Sequence, residues 1–262
     1  HGPWAFERTV CVGRHGENCG ESDILEVSNK KQESNSTARL RVHWWKEGTS
    51  PDLQGMASCR WTESISLFWG GRRSPSNASD ALLVLDTNSC RIGTIQDIRG
   101  DFPQPRWGHQ LIALDGNRAV LLGGCNQEDG TFDDIFVLHY CAQEEKCESN
   151  NNDKNVPKLG YFYWERLSIR LPTPRFHFGA ALLNGDTIIV MGGLESTREL
   201  LRPFESDTES TSSPSAVWAC KIGTSRRQST ITVPNTKATV VKVESPGNFS
   251  LGSFESFFGD RE

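Results

Sequence analysis

Long apolar runs are missing from this 262-residue chain. No run approaches the roughly 18 residues that indicate a membrane-spanning helix. No segment sustains the 3.6-residue apolar period of an amphipathic helix either, so little helix is expected. Glycine and proline are plentiful instead, with 24 and 12 residues spread along the chain. Short strand-like runs between such turn-forming residues predict an all-β fold.

Sequence signatures of catalysis are also missing. The chain has no P-loop, no G-x-G-x-x-G after a strand, no G-x-S-x-G nucleophile elbow and no H-E-x-x-H motif. Its eight cysteines include no C-x-x-C pair, and the closest two are Cys141 and Cys147. Structural zinc sites favour ligands that are closer in sequence. We therefore predict no catalytic residue, no metal site and no cofactor in this segment.

Net charge and cysteine content limit the class of protein. A formal charge of −5 argues against a surface that is basic throughout, although a local basic patch stays compatible with it. Three N-x-S/T sequons, at Asn35, Asn77 and Asn248, would matter only in a secreted protein. A chain of this length needs no disulfides for a core, so we expect reduced cysteines and a cytoplasmic location. Because the chain starts at His1 without a leader pattern, we expect a piece of a longer protein.

Three short apolar runs each end in a Gly-Gly pair. Gly70 precedes Gly123 by 53 residues, and Gly192 follows Gly123 by 69. The longer gap contains the polar run 143–156, and without those 14 residues it would be 55. A repeat of this size predicts a fold built from similar units. The runs with their glycines are 65–71, 119–124 and 188–193.

Eroded copies of the pattern lie towards both ends of the chain. Val12-Gly13 closes one strand-like run, and Pro246-Gly247 follows another at 239–243, which makes five units. A period of about 50 residues with Gly-Gly after an apolar strand is the kelch signature, in which each unit is a four-stranded propeller blade. We predict an all-β, kelch-type β-propeller over residues 1–262, with about five blade units in an incomplete ring.

The order of strands within a blade also follows from the pattern. The run before Gly-Gly lacks polar alternation, so it is predicted to be an inner strand buried between blades. A second strand follows at 81–86 and 134–139, and an aromatic outer strand lies at 161–167. Three polar segments are predicted to be solvated insertion loops between the strands of a blade. They lie near 29–37, 143–156 and 202–215.

Residues that would otherwise suggest catalysis recur with the blades. His109 stands in the approach Pro105-Arg106-Trp107-Gly108-His109, and His177 stands near the matching place in 174–178. Asp133-Asp134 occupies the position of a short acidic turn before a strand. We predict that these histidines and aspartates are architectural, and that Trp69 and Trp107 pack blades together.

Arginines just past the predicted inner-strand turns are the candidate binding residues. They are Arg14, then Arg72 and Arg73. Loops at this place project onto one rim of a propeller, where a rigid scaffold presents binding side chains. Guanidinium groups there would suit phosphates or carboxylates.

Several motifs, in order, carry a resemblance to one particular family. They are Trp69-Gly70-Gly71-Arg72-Arg73-Ser74, Tyr163-Trp164-Glu165-Arg166-Leu167, Thr173-Pro174-Arg175-Phe176 and Gly247-Asn248-Phe249-Ser250-Leu251-Gly252. The last of them, Gly-Asn-aromatic-Ser-x-Gly, is the most specific. With these motifs the chain resembles the C-terminal propeller of the tRNA wybutosine-synthesising protein 4 family, also called leucine carboxyl methyltransferase 2.

That resemblance implies an S-adenosylmethionine-dependent methyltransferase domain in front of the propeller. The family methylates and methoxycarbonylates the wybutosine precursor in phenylalanine tRNA, and the propeller would support the catalytic domain and help bind tRNA. Two alternatives stay open. One is a kelch adaptor that binds another protein, for example a ubiquitin-ligase substrate, and the other is a secreted propeller.

Overall fold

The computed structural model describes residues 22–28, 37–46, 51–142, 159–196, 217–223 and 237–243, and every regular element among them is a β-strand. The first two described strands, β1 (Ser22–Ser28) and β2 (Thr37–Trp44), form a hairpin. Three four-stranded antiparallel units follow, which we call the first, second and third blades. In these residues no helix is long and apolar enough to cross a membrane.

The first blade contains two strands on each side of its Gly-Gly pair. They are β3 (Ala57–Arg60), β4 (Ile65–Trp69), β7 (Leu82–Asp86) and β8 (Arg91–Ile95). Between β4 and β7 the chain forms a small hairpin of β5 (Arg72–Ser74) and β6 (Asn77–Ala78), and β9 (Ile98–Gly100) follows β8.

The second and third blades repeat this order. The second has β10 (Gln110–Asp115), β11 (Arg118–Leu122), β14 (Asp134–Ala142) and β15 (Gly160–Arg170), with a small hairpin of β12 (Cys125–Asn126) and β13 (Gly130–Thr131) after its Gly-Gly pair. The third has β16 (Gly179–Leu183), β17 (Thr187–Met191), β18 (Val217–Ile222) and β19 (Ala238–Val243). The prediction of an all-β, kelch-type propeller is confirmed.

The run before each Gly-Gly pair is the second strand of its blade. It is paired on both sides, and in β11 four consecutive residues, Ala119 to Leu122, are buried. Both faces of β11 are covered because the second blade lies between the other two, which explains the missing polar alternation. In β4 and β17 burial alternates instead, because only one face of each strand meets a neighbouring blade within the described residues.

The hairpin β1–β2 links the first two blades at their outer edges. Strand β2 pairs antiparallel with β8 through Val42–Ile95 to Trp44–Gly93, and Leu40 bridges Gly160 of β15 in parallel. The resulting sheet nearly closes, because β10 packs against β3 at the inner side. One hydrophobic core fills the space between the first and second blades and includes hairpin side chains, and a second core lies between the second and third blades.

One strand assignment made from the sequence is wrong. The segment 239–243 was predicted to begin a fifth unit, but it belongs to β19, which pairs with β18 from Val217–Val243 to Ile222–Ala238. This pairing supplies the fourth strand that the third blade would otherwise lack. The eroded copy that ends at Gly13 lies outside the described residues.

The three polar segments fall almost wholly outside the described residues. Thr37 at the end of the first is the first residue of β2. On either side of each segment the strands pair directly, as β1 does with β2, β14 with β15 and β17 with β18. That the three segments are solvated insertion loops stays a prediction.

Candidate functional site

A repeated backbone joint holds each blade to the next. The Gly71 N–H donates to the Arg106 carbonyl oxygen at 2.8 Å, and the Gly124 N–H donates to the Arg175 carbonyl oxygen at 2.8 Å. The second glycine of the first two pairs thus binds the approach segment of the following blade. This explains why Gly-Gly and Pro-Arg recur together along the sequence.

The approach arginine fixes the joint with its side chain. Arg106 is fully buried, donates from Nη1 to the Gly123 carbonyl oxygen at 3.0 Å, and forms a two-point ion pair with the Asp134 carboxylate. Its guanidinium also lies 3.8 Å from the ring centre of Phe132. Arg175 donates in the same way to Gly192, at 2.9 Å.

The architectural role predicted for the aspartates and for His109 is confirmed. Asp134 accepts from Arg106, while Asp133 accepts from Arg170 at 2.9 Å. His109 is buried with Nε2 3.1 Å from the Trp69 carbonyl oxygen, so Nε2–H donates there. Burial and the nearby Arg106 charge lower the pKa of His109 to about 3. Its full burial and its contact with a backbone carbonyl oxygen at the joint between blades fit the architectural role.

His177 does not occupy the place of His109. Its N–H donates to the Gly108 carbonyl oxygen at 2.7 Å, and the Gly108 N–H donates to the Gly55 carbonyl oxygen at 3.0 Å. All three backbones are left-handed, with φ of 53°, 65° and 68° for His177, Gly108 and Gly55. His177 therefore takes a position that is glycine in the first two blades, and Phe178 takes the place of His109. The one-residue offset of the histidine in the sequence is explained by this register.

The approach segments and the residues after Gly-Gly meet on one rim of the molecule. In each blade an approach residue forms a backbone bridge with the residue that follows the pair. Because the small hairpins β5–β6 and β12–β13 begin at these bridges, they stand on the same rim. The bridges are Gln54–Arg72, Trp107–Cys125 and Phe176–Leu194.

Two of the three predicted arginines lie on this rim, but they face different surroundings. The Arg72 guanidinium stacks 3.7 Å from the ring centre of Trp107, whose ring is 5.4 Å from Phe176 and 5.3 Å from His177. Trp107 and Phe176 are buried, so Trp107 packs blades as predicted. Stacking on Trp107 therefore holds the Arg72 side chain, which is only partly exposed.

Arg73, the next residue of β5, is exposed. It forms no ion pair with any residue that the structure describes. It borders a groove of about 320 Å³ with a partly apolar lining that includes Trp45 and Leu53. Arg14 lies outside the described residues, so its grouping with the other two stays a prediction.

The second small hairpin brings an acidic group that the sequence reasoning missed. The Asp129 N–H donates to Asn126 Oδ1 at 2.6 Å, and Asn126 Nδ2 donates to Asp129 Oδ2 at 2.9 Å and to the Pro105 carbonyl oxygen at 3.1 Å. This network fixes the hairpin tip, with Glu128 exposed beside it. Glu195, exposed just after the Leu194 bridge, adds a carboxylate from the third blade. The run Gln127-Glu128-Asp129-Gly130, which begins two residues after the Gly123-Gly124 pair, was the available signal.

Sequence comparison relates the chain to plant proteins named adagio. Putative adagio-like protein 2 of Oryza sativa subsp. japonica is 28% identical over 58% of this chain and 21% of its own length. Adagio-like protein 3 of the same organism is 27% identical over 68% of this chain and 27% of its length. The chain thus spans about a fifth to a quarter of these relatives. No family model matches. Among solved structures, the structure of YjhT aligns with a TM-score of 0.37 and 17% identity, over 55% of this chain and 35% of that chain.

These relatives overturn the expected resemblance to the wybutosine-synthesising family. The tRNA-modifying methyltransferase function is wrong for this chain, and an attached methyltransferase domain and a tRNA partner have no support. The cause is clear from the structure. Trp69 to Gly71 and Pro174 to Phe176 lie at joints between blades, which any kelch propeller needs, while the ending 247–254 lies outside the described residues. The motifs were signals of architecture rather than of a reaction.

Proposed function

We propose that this chain is the protein-binding propeller of a longer adaptor protein, of the kind that selects substrates for a ubiquitin ligase. The observation that carries the proposal is the rim on which β5–β6 and β12–β13 stand. Each hairpin follows a backbone bridge that locks it to the blade, so exposed charged side chains are presented from a rigid base. The adagio relatives, of which the chain covers only a portion, support a module within a larger protein.

The test is site-specific photo-crosslinking in the cells from which the protein comes. A photoreactive amino acid replaces Arg73 or Glu128 on the rim, and Asn88 in the turn between β7 and β8 at the opposite end of the first blade serves as control. We expect the same partner protein to be captured from positions 73 and 128 and not from 88. Equal capture from position 88, or no captured protein at the rim, would overturn the proposed function.

We also propose a cytoplasmic location, supported by the state of the cysteines. Cys59, Cys125 and Cys220 are buried in the core, and burial raises the pKa of each of these thiols to about 12. Such thiols behave as small apolar core residues and need no oxidising compartment. Thiol titration of the protein purified without reductant and then denatured should find all eight cysteines reactive. A lower count would reveal disulfides and favour a secreted protein.

A further inference from the structure

A histidine stands on the rim at a place where the first two blades have glycine. His177 is left-handed with φ 53°, like Gly55 and Gly108 at the matching positions. Glycine adopts this conformation without strain, so the repeat itself does not require an imidazole there. The ring lies over the Gly108 backbone, because a Cβ on that glycine would be 3.2 Å from His177 Cε1 and Nδ1. His177 is nevertheless exposed, so a ligand can reach it from the rim.

Arg72 and His177 contact the same indole. The Arg72 guanidinium lies 3.7 Å from the ring centre of Trp107, and the imidazole centre lies 5.3 Å from the same ring. The Arg72 side chain forms no ion pair or hydrogen bond with a residue that the structure describes, and the ring nitrogens of His177 form none either. The guanidinium donors and the imidazole are therefore available to a ligand.

The exposed carboxylates of the first blade do not occupy this place. Asp80 borders the groove that Arg73 also borders. Arg72 faces away from that groove, because successive side chains of a strand point to opposite faces. Asp52 has an interaction of its own and forms no ion pair with Arg72.

The charged group that acts on the imidazole is Arg72. Burial, and then the Arg72 charge, lower the pKa of His177, and no carboxylate offsets them. Glu195 of the third blade acts on Arg175 instead. The Cys125 thiol near Arg72 stays neutral, because burial raises its pKa to about 12. At physiological pH the pair thus presents one permanent positive charge beside a neutral imidazole.

We propose that Arg72 and His177 together bind one carboxylate side chain of the partner protein, with Trp107 as their support. This rests on the proposed function and names the chemistry of the partner's contact. The planar guanidinium suits a two-point bond to a carboxylate, and one permanent charge matches a singly charged carboxylate better than a doubly charged phosphate. A bound carboxylate also favours the protonated imidazole, so binding should tighten as the pH falls.

The test is NMR of the full chain labelled with ¹⁵N in tryptophan and ¹³C in histidine. The indole N–H signal of Trp107, assigned with Trp107→Phe, reports the binding of a blocked tripeptide with glutamate between two glycines. Matched peptides carry glutamine or phosphoserine instead. We expect the glutamate peptide to bind about fivefold more tightly than the glutamine peptide and at least as tightly as the phosphoserine peptide. It should bind about threefold more tightly at pH 5.5 than at pH 7.5, and His177 should titrate at higher pH in its presence.

Two variants separate the roles of the pair. Arg72→Gln should weaken the glutamate peptide about fivefold. His177→Gly, which introduces the residue that the other blades have, should abolish the dependence of binding on pH. Arg91→Gln is the matched control, because Arg91 also stacks on an indole, 4.6 Å from the ring centre of Trp44, at the opposite end of the first blade. It should leave binding within about twofold. Circular dichroism and the melting temperature establish that each variant is folded.

Three results would overturn the inference. They are equal binding of the glutamate and glutamine peptides, tighter binding of the phosphoserine peptide, and an equal loss in Arg91→Gln and Arg72→Gln. An affinity in the wild-type protein that did not change with pH would remove His177 from the site. None of these results decides the proposed function, which depends on crosslinking of a protein from positions 73 and 128. Conversely, peptide binding without a crosslinked protein would leave the carboxylate site and overturn the proposed function.

Discussion

His109 shows how one side chain couples the joint between blades to pH. The centre of its ring lies 5.0 Å from the centre of the Trp69 ring. The imidazole is buried, and its Nδ1 has no hydrogen-bond partner among the described residues. Protonation would place a charge next to Arg106 without water, which is the reason for its low pKa. In the next blade the equivalent residue is Phe178, which is also buried and carries no proton. The position therefore requires an aromatic ring of suitable shape rather than a base.

We predict that His109→Phe flattens the dependence of stability on pH. The unfolded chain takes up a proton below the ordinary pKa of 6.5, while the folded protein takes it up only near 3, so folding loses stability as pH falls through that window. The loss is about 1.4 kcal/mol per pH unit. Between pH 7 and pH 5 the wild-type protein should therefore lose about 2 kcal/mol more than the variant does, as measured by urea denaturation. Identical losses in the two proteins would show that His109 is accessible to protons when folded.

The buried ion pair of Arg106 gives a second prediction at this scale. Arg106→Met leaves the Asp134 carboxylate buried without its partner, so unfolding should become easier by about 3–5 kcal/mol. Arg175→Met is the matched control, because Arg175 hydrogen-bonds Thr173 and Gly192 and no described carboxylate. Chemical denaturation should find the control clearly less destabilised. If both variants lost the same stability, the cost would come from lost packing and carbonyl contacts and not from the unpaired charge of Asp134.

At the scale of the strand and its turn, the first glycine of a Gly-Gly pair is required where another blade packs against it, as it does at Gly70 and Gly123. Gly70 has φ +72°, and a Cβ there would lie 2.6 Å from the Arg106 carbonyl oxygen. Gly192 has φ +70°, but a Cβ there would meet nothing within 4 Å, because no described residue covers that side of the third blade. Gly70 and Gly192 thus hold the same position in the repeat, and they differ in that only Gly70 has a neighbouring blade among the described residues.

We predict that Gly70→Ala costs far more stability than Gly192→Ala. The left-handed backbone penalises alanine by about 1 kcal/mol at both positions. At Gly70 the clash with a backbone oxygen must also be relieved by separating two blades, which should raise the cost above about 3 kcal/mol. Thermal and chemical unfolding of both variants measure the difference. A similar large loss in Gly192→Ala would mean that another part of the chain packs against the third blade.

The sequence predicts these elements well where the signal is local. Gly-Gly after an apolar run identified β4, β11 and β17, and recurrence with the blades marked His109 and Asp134 as architectural. Pairing is not local, which is why the run that forms β19 was assigned to a new unit instead of to β18. The offset of His177 was visible in the sequence, but its left-handed backbone was not, because a histidine mostly adopts ordinary backbone conformations and does not require a positive φ as glycine often does. Likewise, adjacent arginines give no sign that Arg72 stacks on Trp107 while Arg73 stays exposed.

At the scale of the whole molecule, the blades form a series whose last sheet face has no neighbour among the described residues. Strand β17 alternates across its sheet, so Ile188 and Val190 are fully buried against the second blade while Met191 is 55% exposed. Strand β19 places Val241 outward as well, 62% exposed. The second blade, by contrast, is covered on both faces.

Lysine at Met191 or Val241 should therefore leave the free energy of unfolding within about 0.5 kcal/mol of wild type, because both side chains already contact water. Val190→Lys is the control on the opposite face of the same sheet, where an unpaired buried charge should cost more than about 3 kcal/mol. Urea denaturation of the three variants separates the two faces. If Val241→Lys proved as damaging as Val190→Lys, the outward face of the third blade would be covered in the folded protein by a further packed element.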